Sequence, residues 1–593
     1  MDSIPKRLFE QAQRRPDAAA YLVKQNGVWK ATSWSTYAKE VAQAARALIA
    51  LGFEPGQRVC ILGFNRPEWT ILDLAAMAAG GAPAGIYTTC SPEEVQYIVH
   101  HSEAPLVLVE NASQYAKVAA KRAELPHLKH VVVMKGPKVE GALSWEDFMA
   151  RGDAVSEKEV HDRIAALEPS GLATLIYTSG TTGPPKAVML THENLSFTAS
   201  VIRDVSAIDA GERTLSYLPL SHIAEQMATI HGPISGGSAV YYAESIDKLA
   251  DNLKEVRPTL FFGVPRVWEK FHAAIVAKSA DAPPARKRVA QWARGVGARV
   301  RALKNQGKEP TGSLAIQYKL ASRIVFSRVK EAIGLDQAIT LVSGAAPIAR
   351  EVVEFFGSLD INIQEIYGQS EDTGPTSFNM IGKTKYGSVG VPIPGVIVKI
   401  ADDGEIMVKG KNVFAGYFKD EEATRATLSD GGWLHSGDLG QFDAEGFLHI
   451  TGRKKEIIIT AGGKNITPKN IEAGIKGTCD LVAECVVIGD RRPYLTALVW
   501  LEPDAAKKYL VERGASGTPP HLSPDIREAI QKAVDAGNEK LARVEQVKKF
   551  TICERPLGIE TGELTPTLKI KRNKVSASFA KEIDAMYEGG GKD

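Results

Sequence analysis

The chain has 593 residues, 44% of them hydrophobic and 24% charged, with a net charge of +2. That length exceeds what one hydrophobic core holds, so two or more domains are expected; bulk charge gives a nucleic-acid partner no support. The five cysteines (Cys60, Cys90, Cys479, Cys485, Cys553) are scattered without metal-ligand spacing, which fits free, mostly buried thiols in a reducing cytosol.

The opening stretch, Met1 to Arg7, lacks the apolar core of a signal peptide. The most apolar stretch, Thr70 to Tyr87, carries Asp73, Gly80, Gly81 and Pro83 and reads as a buried helix followed by a strand, not a membrane span. A soluble, cytoplasmic protein is expected. Short β-branched runs then alternate with helical patterns: Val59–Leu62, Leu106–Val109, Val131–Met134, Leu172–Tyr177, Val240–Tyr242, Leu260–Phe262 and Ile363–Tyr367. This alternation predicts an α/β fold of helix-covered, mostly parallel sheets.

The run Leu172–Ile176 leads into Tyr177-Thr-Ser-Gly-Thr-Thr-Gly-Pro-Pro-Lys186. Gly180 and Gly183 let the backbone turn tightly against a ligand. Thr178, Ser179, Thr181 and Thr182 add hydroxyl donors and Lys186 a cation, which suits a polyphosphate. The spacing of glycines and lysine is not that of a Walker loop. From Arg286 to Lys330 the sequence holds twelve Lys/Arg and one acid, Glu309, with Val289, Trp292, Val296, Val300 and Leu303 on one helical face. Two readings stand: a solvated helix packed on the sheet, or a peripheral contact with anionic lipid at the inner face of the membrane.

Ser343-Gly344-Ala345-Ala346-Pro347 ends a strand with small residues, which leaves room for a flat base or simply serves packing. Tyr367-Gly368-Gln369-Ser370-Glu371 follows the next strand. At strand ends these pieces would share one crevice, where Tyr367 could stack on a base, Ser370 donate to a phosphate and Glu371 hold Mg2+ among phosphates. After Val396 the texture turns to hairpins, a small β-barrel-like subdomain. There Asp438, placed after a tight turn, offers its carboxylate to ribose hydroxyls, and Arg453 a second contact. A boundary is set between 1–454 and a small α+β unit, 455–593, that carries the close-approach loop Thr460–Pro468 and the turn Gly562–Lys569.

In this order the segments resemble the AMP-forming acyl-adenylate (acyl-CoA synthetase) superfamily along nearly the whole chain. The forms Gly85–Pro92, Tyr217-Leu-Pro-Leu-Ser-His-Ile-Ala224, Val264–Lys270 and Thr567-Leu-Lys569 look like its long-chain and very-long-chain fatty acyl-CoA synthetases of the bubblegum type. The resemblance implies two half-reactions: a fatty acid and ATP give acyl-AMP and pyrophosphate, then CoA displaces AMP. Carried over, the Thr178–Lys186 loop would hold the β- and γ-phosphates, with Glu371 and Thr178 near Mg2+. The Gly344–Ala346 region and Tyr367 to Ser370 would bracket adenine and phosphate, and Asp438 and Arg453 would fix ribose. Lys569 would be the catalytic lysine, with Lys571 as fallback. Lys455 would be the hinge of a mobile C-terminal domain, and Ala461, Gly462 and Gly463 would line the CoA channel. His222, in the acyl-pocket motif, is either close to the substrate carboxylate or structural. Ala187, Ser370, Lys455 and Thr567-Leu568 depart from the commoner family residues. A fatty acyl-AMP ligase and a non-catalytic relative are the competing readings.

Overall fold

The computed structural model describes residues 2–178, 184–280, 282–460, 465–515, 517–539, 541–565 and 569–588. Strands form where short aliphatic runs meet turn residues. Leu106–Val109 is buried at every position and pairs in parallel with Arg58–Leu62 on one side and His130–Val133 on the other. A strand covered on both faces loses alternation and becomes a continuous apolar run. Helices start at caps: over Pro92–Ser102, Ser91 Oγ accepts from Glu94 N at 3.2 Å and Glu94 Oε2 accepts from Ser91 N at 2.9 Å. The expected helix-then-strand is Pro67–Ala78 followed by Ala82–Ile86. Among the described residues no helix is long and apolar enough to cross a membrane.

Two large sheets, of eight and nine strands, make up most of the N-terminal domain. In the first, Leu172–Thr178 turns back antiparallel onto Lys186–Thr191, so the Gly/Thr segment joins two hydrogen-bonded neighbours. In the second, Arg213–Ser216, Leu260–Gly263, Thr340–Ser343 and Ile363–Tyr367 run in parallel. Gly263 is in register with Ser343, and Ser343 with Glu365. Their carboxyl ends therefore share one edge, where ligands collect in open α/β sheets.

A five-stranded antiparallel sheet follows. Its central strand, Trp433–Phe442, pairs with Leu448–Arg453 so that Asp438 lies opposite Arg453. Asp438 thus belongs to a strand interior and not to a turn; the local break is at Gly437, whose φ of +72° glycine tolerates. The smaller C-terminal unit is α+β: Val482–Ile488, Leu495–Leu501 and Val547–Ile552 form one sheet, covered by helices Pro468–Lys476 and Pro524–Asn538. It has its own core, with Ile471, Ile475, Leu495, Ile526 and Ile530 buried.

Between the two units lies one short 3-10 turn, Lys454–Glu456. Lys454 is tied to the large domain by Asp403 at 2.6 Å and Glu405 at 3.1 Å, and Glu456 is tied to the small one by Lys469 at 3.2 Å. Lys455 is exposed between them and makes no ion pair among the described residues.

The basic segment departs from its expected packing on a sheet. It folds as helices Pro284–Lys304 and Gly312–Ala321 around a small core of Ala293, Val296, Val300, Ala321 and Phe326. Val296 and Val300 are buried, whereas Val289 and Trp292 of the same face stay exposed.

Candidate functional site

The Tyr367–Glu371 segment is shaped by backbone crowding. A Cβ on Gly368 would lie 1.6 Å from Gly374 O, so only glycine lets the chain fold back there. Asp372, fully buried, accepts from Gln369 N at 2.7 Å and from the Thr376 hydroxyl, and burial pushes its carboxyl well above the usual range. The turn is thereby locked and Glu371 is left half-buried beside it.

Glu371 connects to the strand Lys186–Thr191 through a residue that no motif pointed to. Tyr417 Oη donates to Glu371 Oε1 at 2.8 Å, and Lys186 Nζ sits 4.9 Å from the centroid of the Tyr417 ring. The segment Phe414–Phe418 ties these parts together: Phe414 N donates to Glu371 O at 2.8 Å and Phe418 N to Ala187 O at 2.9 Å. Thr178 faces Lys186 across the hairpin and its hydroxyl donates to Lys186 O at 3.4 Å. Ser179, Gly180, Thr181, Thr182 and Gly183 lie outside the described residues, as do Ala461, Gly462 and Gly463.

A second cluster sits at the end of the Ile363–Tyr367 strand. Buried Asp438 accepts from Tyr367 Oη at 3.0 Å through Oδ2 and from Arg453 Nε at 2.8 Å through Oδ1. Burial, then the Asp438 charge, pushes the Tyr367 phenol well up, so it stays a neutral donor. Burial pulls Arg453 down, but Asp438 more than offsets it and leaves the guanidinium above its ordinary value. Each Asp438 oxygen keeps a further lone pair for a hydroxyl donor.

The Ser343–Ala346 strand end splits in two. Gly344 is packing: a Cβ there would meet Ile366 Cγ2 at 2.5 Å. Ala345 and Ala346 are exposed, and Ala345 has a φ of +67°, a left-handed conformation rare outside glycine that concentrates at ligand sites. Ser343 Oγ and Gln369 Nε2, in the two neighbouring segments, are buried with no hydrogen-bond partner among the described residues. Such orphan groups are what a polar ligand would satisfy.

The C-terminal unit reaches this crevice through Lys569. The turn before it is closed by Thr565 N donating to Lys569 O at 2.8 Å and Lys569 N donating to Thr565 Oγ1 at 3.0 Å. Desolvation, followed by the charges of Arg453 and Lys469, lowers the Lys569 pKa; Glu371 and Asp438 act the other way. Lys569 keeps solvent access through the mouth of the crevice, yet the surrounding protein is dense enough for desolvation to lead. His222 faces the same lysine. Its Nδ1 accepts from Ala224 N at 3.1 Å, and burial, then Lys569, pulls the imidazole down to about 4. A neutral ring whose Nδ1 accepts carries its proton on Nε2.

One turn after His222 lies a group that sequence reasoning missed. Glu225 is buried and accepts from Ser216 Oγ at 2.8 Å, Thr229 Oγ1 at 2.8 Å, Asn65 Nδ2 at 3.1 Å and Tyr217 N at 3.1 Å. Burial pushes its carboxyl up to about 8. It pins the strand end before the His222 turn to the π-helical turn Met227–His231 after it. The only available signal was an acid inside an apolar motif.

The crevice therefore combines three cations (Lys186, Arg453, Lys569) with two carboxylates, Glu371 after a strand end and Asp438 within a strand, a set able to hold a polyanionic nucleotide and shield the approach of a second anion. Residues 8–418 match the AMP-binding enzyme family and residues 455–590 the C-terminal domain of AMP-binding enzymes. The chain belongs to the AMP-binding enzyme family, as an AMP-forming acid–thiol ligase. It is similar to the long-chain-fatty-acid--CoA ligase ACSBG2 of Xenopus laevis, 38% identical over 98% of this chain and 83% of that protein. The ACSBG2 of Homo sapiens is 37% identical over 99% of this chain and 92% of that one, and FadD15 of Mycobacterium tuberculosis, also a long-chain-fatty-acid--CoA ligase, is 35% identical over 99% and 97%. In fold it resembles the anthranilate CoA ligase AuaEII in complex with anthranoyl-AMP, with a TM-score of 0.73 and 21% identity over 98% of each chain.

Proposed function

We propose that this protein is a long-chain fatty acid–CoA ligase that works in two half-reactions at the crevice between its two domains. The observation that carries the reading is the arrival of Lys569, from the C-terminal unit, at a site where Tyr367, Asp438 and Arg453 are hydrogen-bonded to one another and Glu371 is bound to Tyr417. In the first half-reaction a carboxylate oxygen bonds to the α-phosphorus of ATP and the bond to the bridging oxygen breaks, releasing pyrophosphate. Two anions must meet, so a fixed cation between them lowers the barrier by positioning and electrostatics. Lys569 fills that role, and His222 Nε2–H orients the carboxylate. Asp438 and Arg453 hold ribose, Ala345 and Tyr367 flank adenine, and Lys186 with the loop from Thr178 takes the outer phosphates.

No group of three His, Cys, Asp or Glu side chains fit to hold a metal occurs among the described residues. The donors present suit Mg2+ bound mainly by phosphates with one carboxylate, Glu371, and the Thr178 hydroxyl in support. There it would neutralise charge on the leaving pyrophosphate.

In the second half-reaction the CoA thiolate bonds to the acyl carbon and AMP leaves with the mixed-anhydride oxygen. Lys569 occupies the place of attack, so the unit from Lys455 onward must turn away first. Lys455, exposed between the anchored Lys454 and Glu456, is the pivot and the domain boundary. The long-chain substrate rests on the likeness to relatives with that activity.

Pyrophosphate release across a panel of carboxylates, with and without CoA, tests the reading. The expected result is release with long-chain acids and conversion to the CoA ester when CoA is present. Acyl-AMP that accumulates without a thioester would favour a fatty acyl-AMP ligase, and no release would favour a non-catalytic relative.

A further inference from the structure

The strands Leu260–Gly263 and Thr340–Ser343 are parallel neighbours, a connection that one crossover helix can make. This chain inserts several, and the pair Pro284–Lys304 and Gly312–Ala321, the latter continued by the π-helical turn Ser322–Phe326 and the helix Ser327–Ile333, is surplus to the link. The inner face of the pair is fixed to the domain. A Cβ on Gly297 would lie 2.1 Å from Ser358 O, and Arg301 and Lys330 both reach Asp360 at 2.7 Å.

The outer face has no such use. On the second helix and its continuation Ile316, Leu320 and Ile324 recur at intervals of four residues and are 71%, 50% and 37% exposed; on the first, Val289 and Trp292 extend the face of Val296 and Val300 past the end of its packing and are 41% and 38% exposed. The two sets lie on one surface. Arg299 of the first helix donates to Gln317 Oε1 of the second at 3.0 Å. Trp292 precedes Arg299 by two turns, and Leu320 and Ile324 follow Gln317 on its own flank, so in an antiparallel pair Trp292 and Ile324 fall on the same side. Around them Arg286, Lys287, Arg288, Lys319, Arg323 and Arg328 are exposed and make no ion pair among the described residues. The chain as a whole carries only +2, so this one segment holds a concentrated positive field over an otherwise acidic molecule.

We propose that this outer face is a docking surface for an anionic lipid bilayer. Aliphatic side chains and a tryptophan enter the interfacial region, and the cations meet lipid phosphates. A nucleic acid would use the cations but leaves the aliphatic stripe unexplained; a second copy of the chain would bring the same cations face to face and repel. Charge complementarity thus selects the anionic membrane. The proposal stands apart from the assignment of the catalytic site.

Co-sedimentation of the full chain with vesicles tests it, comparing phosphatidylcholine alone with phosphatidylcholine containing phosphatidylglycerol, at low and high salt. The expected result is binding to the phosphatidylglycerol vesicles only, weakened by salt. The double variant Lys319→Glu/Arg323→Glu is expected to lose about tenfold or more in vesicle affinity. The double variant Leu320→Ser/Ile324→Ser is expected to lose roughly tenfold as well, because removing aliphatic surface weakens insertion. Both variants should keep the thermal melting of the parent. Equal binding to both vesicle types, or variants that bind like the parent, would overturn the proposal. So would a concentration-dependent dimer that the Leu320→Ser/Ile324→Ser variant dissociates, or duplex-DNA binding that this variant leaves intact while vesicle binding is absent.

Discussion

Lys569 brings a positive charge into a crevice that already holds Arg453, with Lys469 of its own unit nearby, and its lowered pKa reflects desolvation first and those cations second. Such a placement costs free energy unless anions arrive, and in the proposed reaction the carboxylate and phosphates would supply them. Lys569→Ala is therefore expected to slow acyl-AMP formation by about a hundredfold or more, the scale of losing one electrostatic contact to a transition state. Thioester formation from supplied acyl-AMP should be largely spared. Pyrophosphate release and CoA-ester assays separate the steps, and equal loss in both would remove the assigned role. Glu225 makes a second prediction at this scale. Its carboxyl titrates near 8 in the folded protein against an ordinary value of 4.5, because burial disfavours the charged form. The folded state binds the extra proton, so its contribution to stability is complete below about 4.5 and is lost as pH rises through about 8. Melting temperature measured across that window should fall for the parent, and Glu225→Gln should flatten the slope. The neighbouring phenols of Tyr217 and Tyr242 are pushed up by burial and stay neutral there.

Among the elements, most of the site is made where strands stop, Asp438 inside its strand being the exception. Gly368 permits the Tyr367–Glu371 segment to fold back on Gly374, and Asp372 then locks it. Gly368→Ala should cost about 1–3 kcal/mol from overpacking alone and should abolish adenylation in any folded fraction. A melting temperature and specific activity like those of the parent would show that the turn is not needed. The strand-ending motifs were legible in the sequence because a β-strand and its turn are local: Ile363–Tyr367 and Leu172–Thr178 follow from a few adjacent residues, whereas the return strand Lys186–Thr191 was not read. Tyr417 was not legible. It matters through its contacts with Glu371 and Lys186, partners far from it along the chain, and no local pattern encodes that meeting. The basic segment shows the same limit, since Val289, Trp292, Val296 and Val300 share one helical face yet only the latter two find a partner to pack against.

Across the whole molecule, two units with separate cores are joined by a turn of three residues, and the proposed site draws on both. In the proposed cycle that turn is the moving part. Lys455→Pro is expected to block the CoA step more than adenylation, because proline fixes φ where rotation is required. Half-reaction kinetics that stay unchanged in both steps would remove Lys455 as the pivot. Fold class and motif order can be read from consecutive residues, because short-range periodicity and turn chemistry are local, and the family follows from the resemblance that those motifs carry. Packing alone puts Asp438 inside a strand bonded to Tyr367 and Arg453, buries Glu225 among Asn65, Ser216 and Thr229, and brings Lys569 near residues far earlier in the chain. The physical reason is the same for all three. Burial and electrostatic environment belong to the packed surroundings of a side chain, and those surroundings come from segments that the linear order keeps apart.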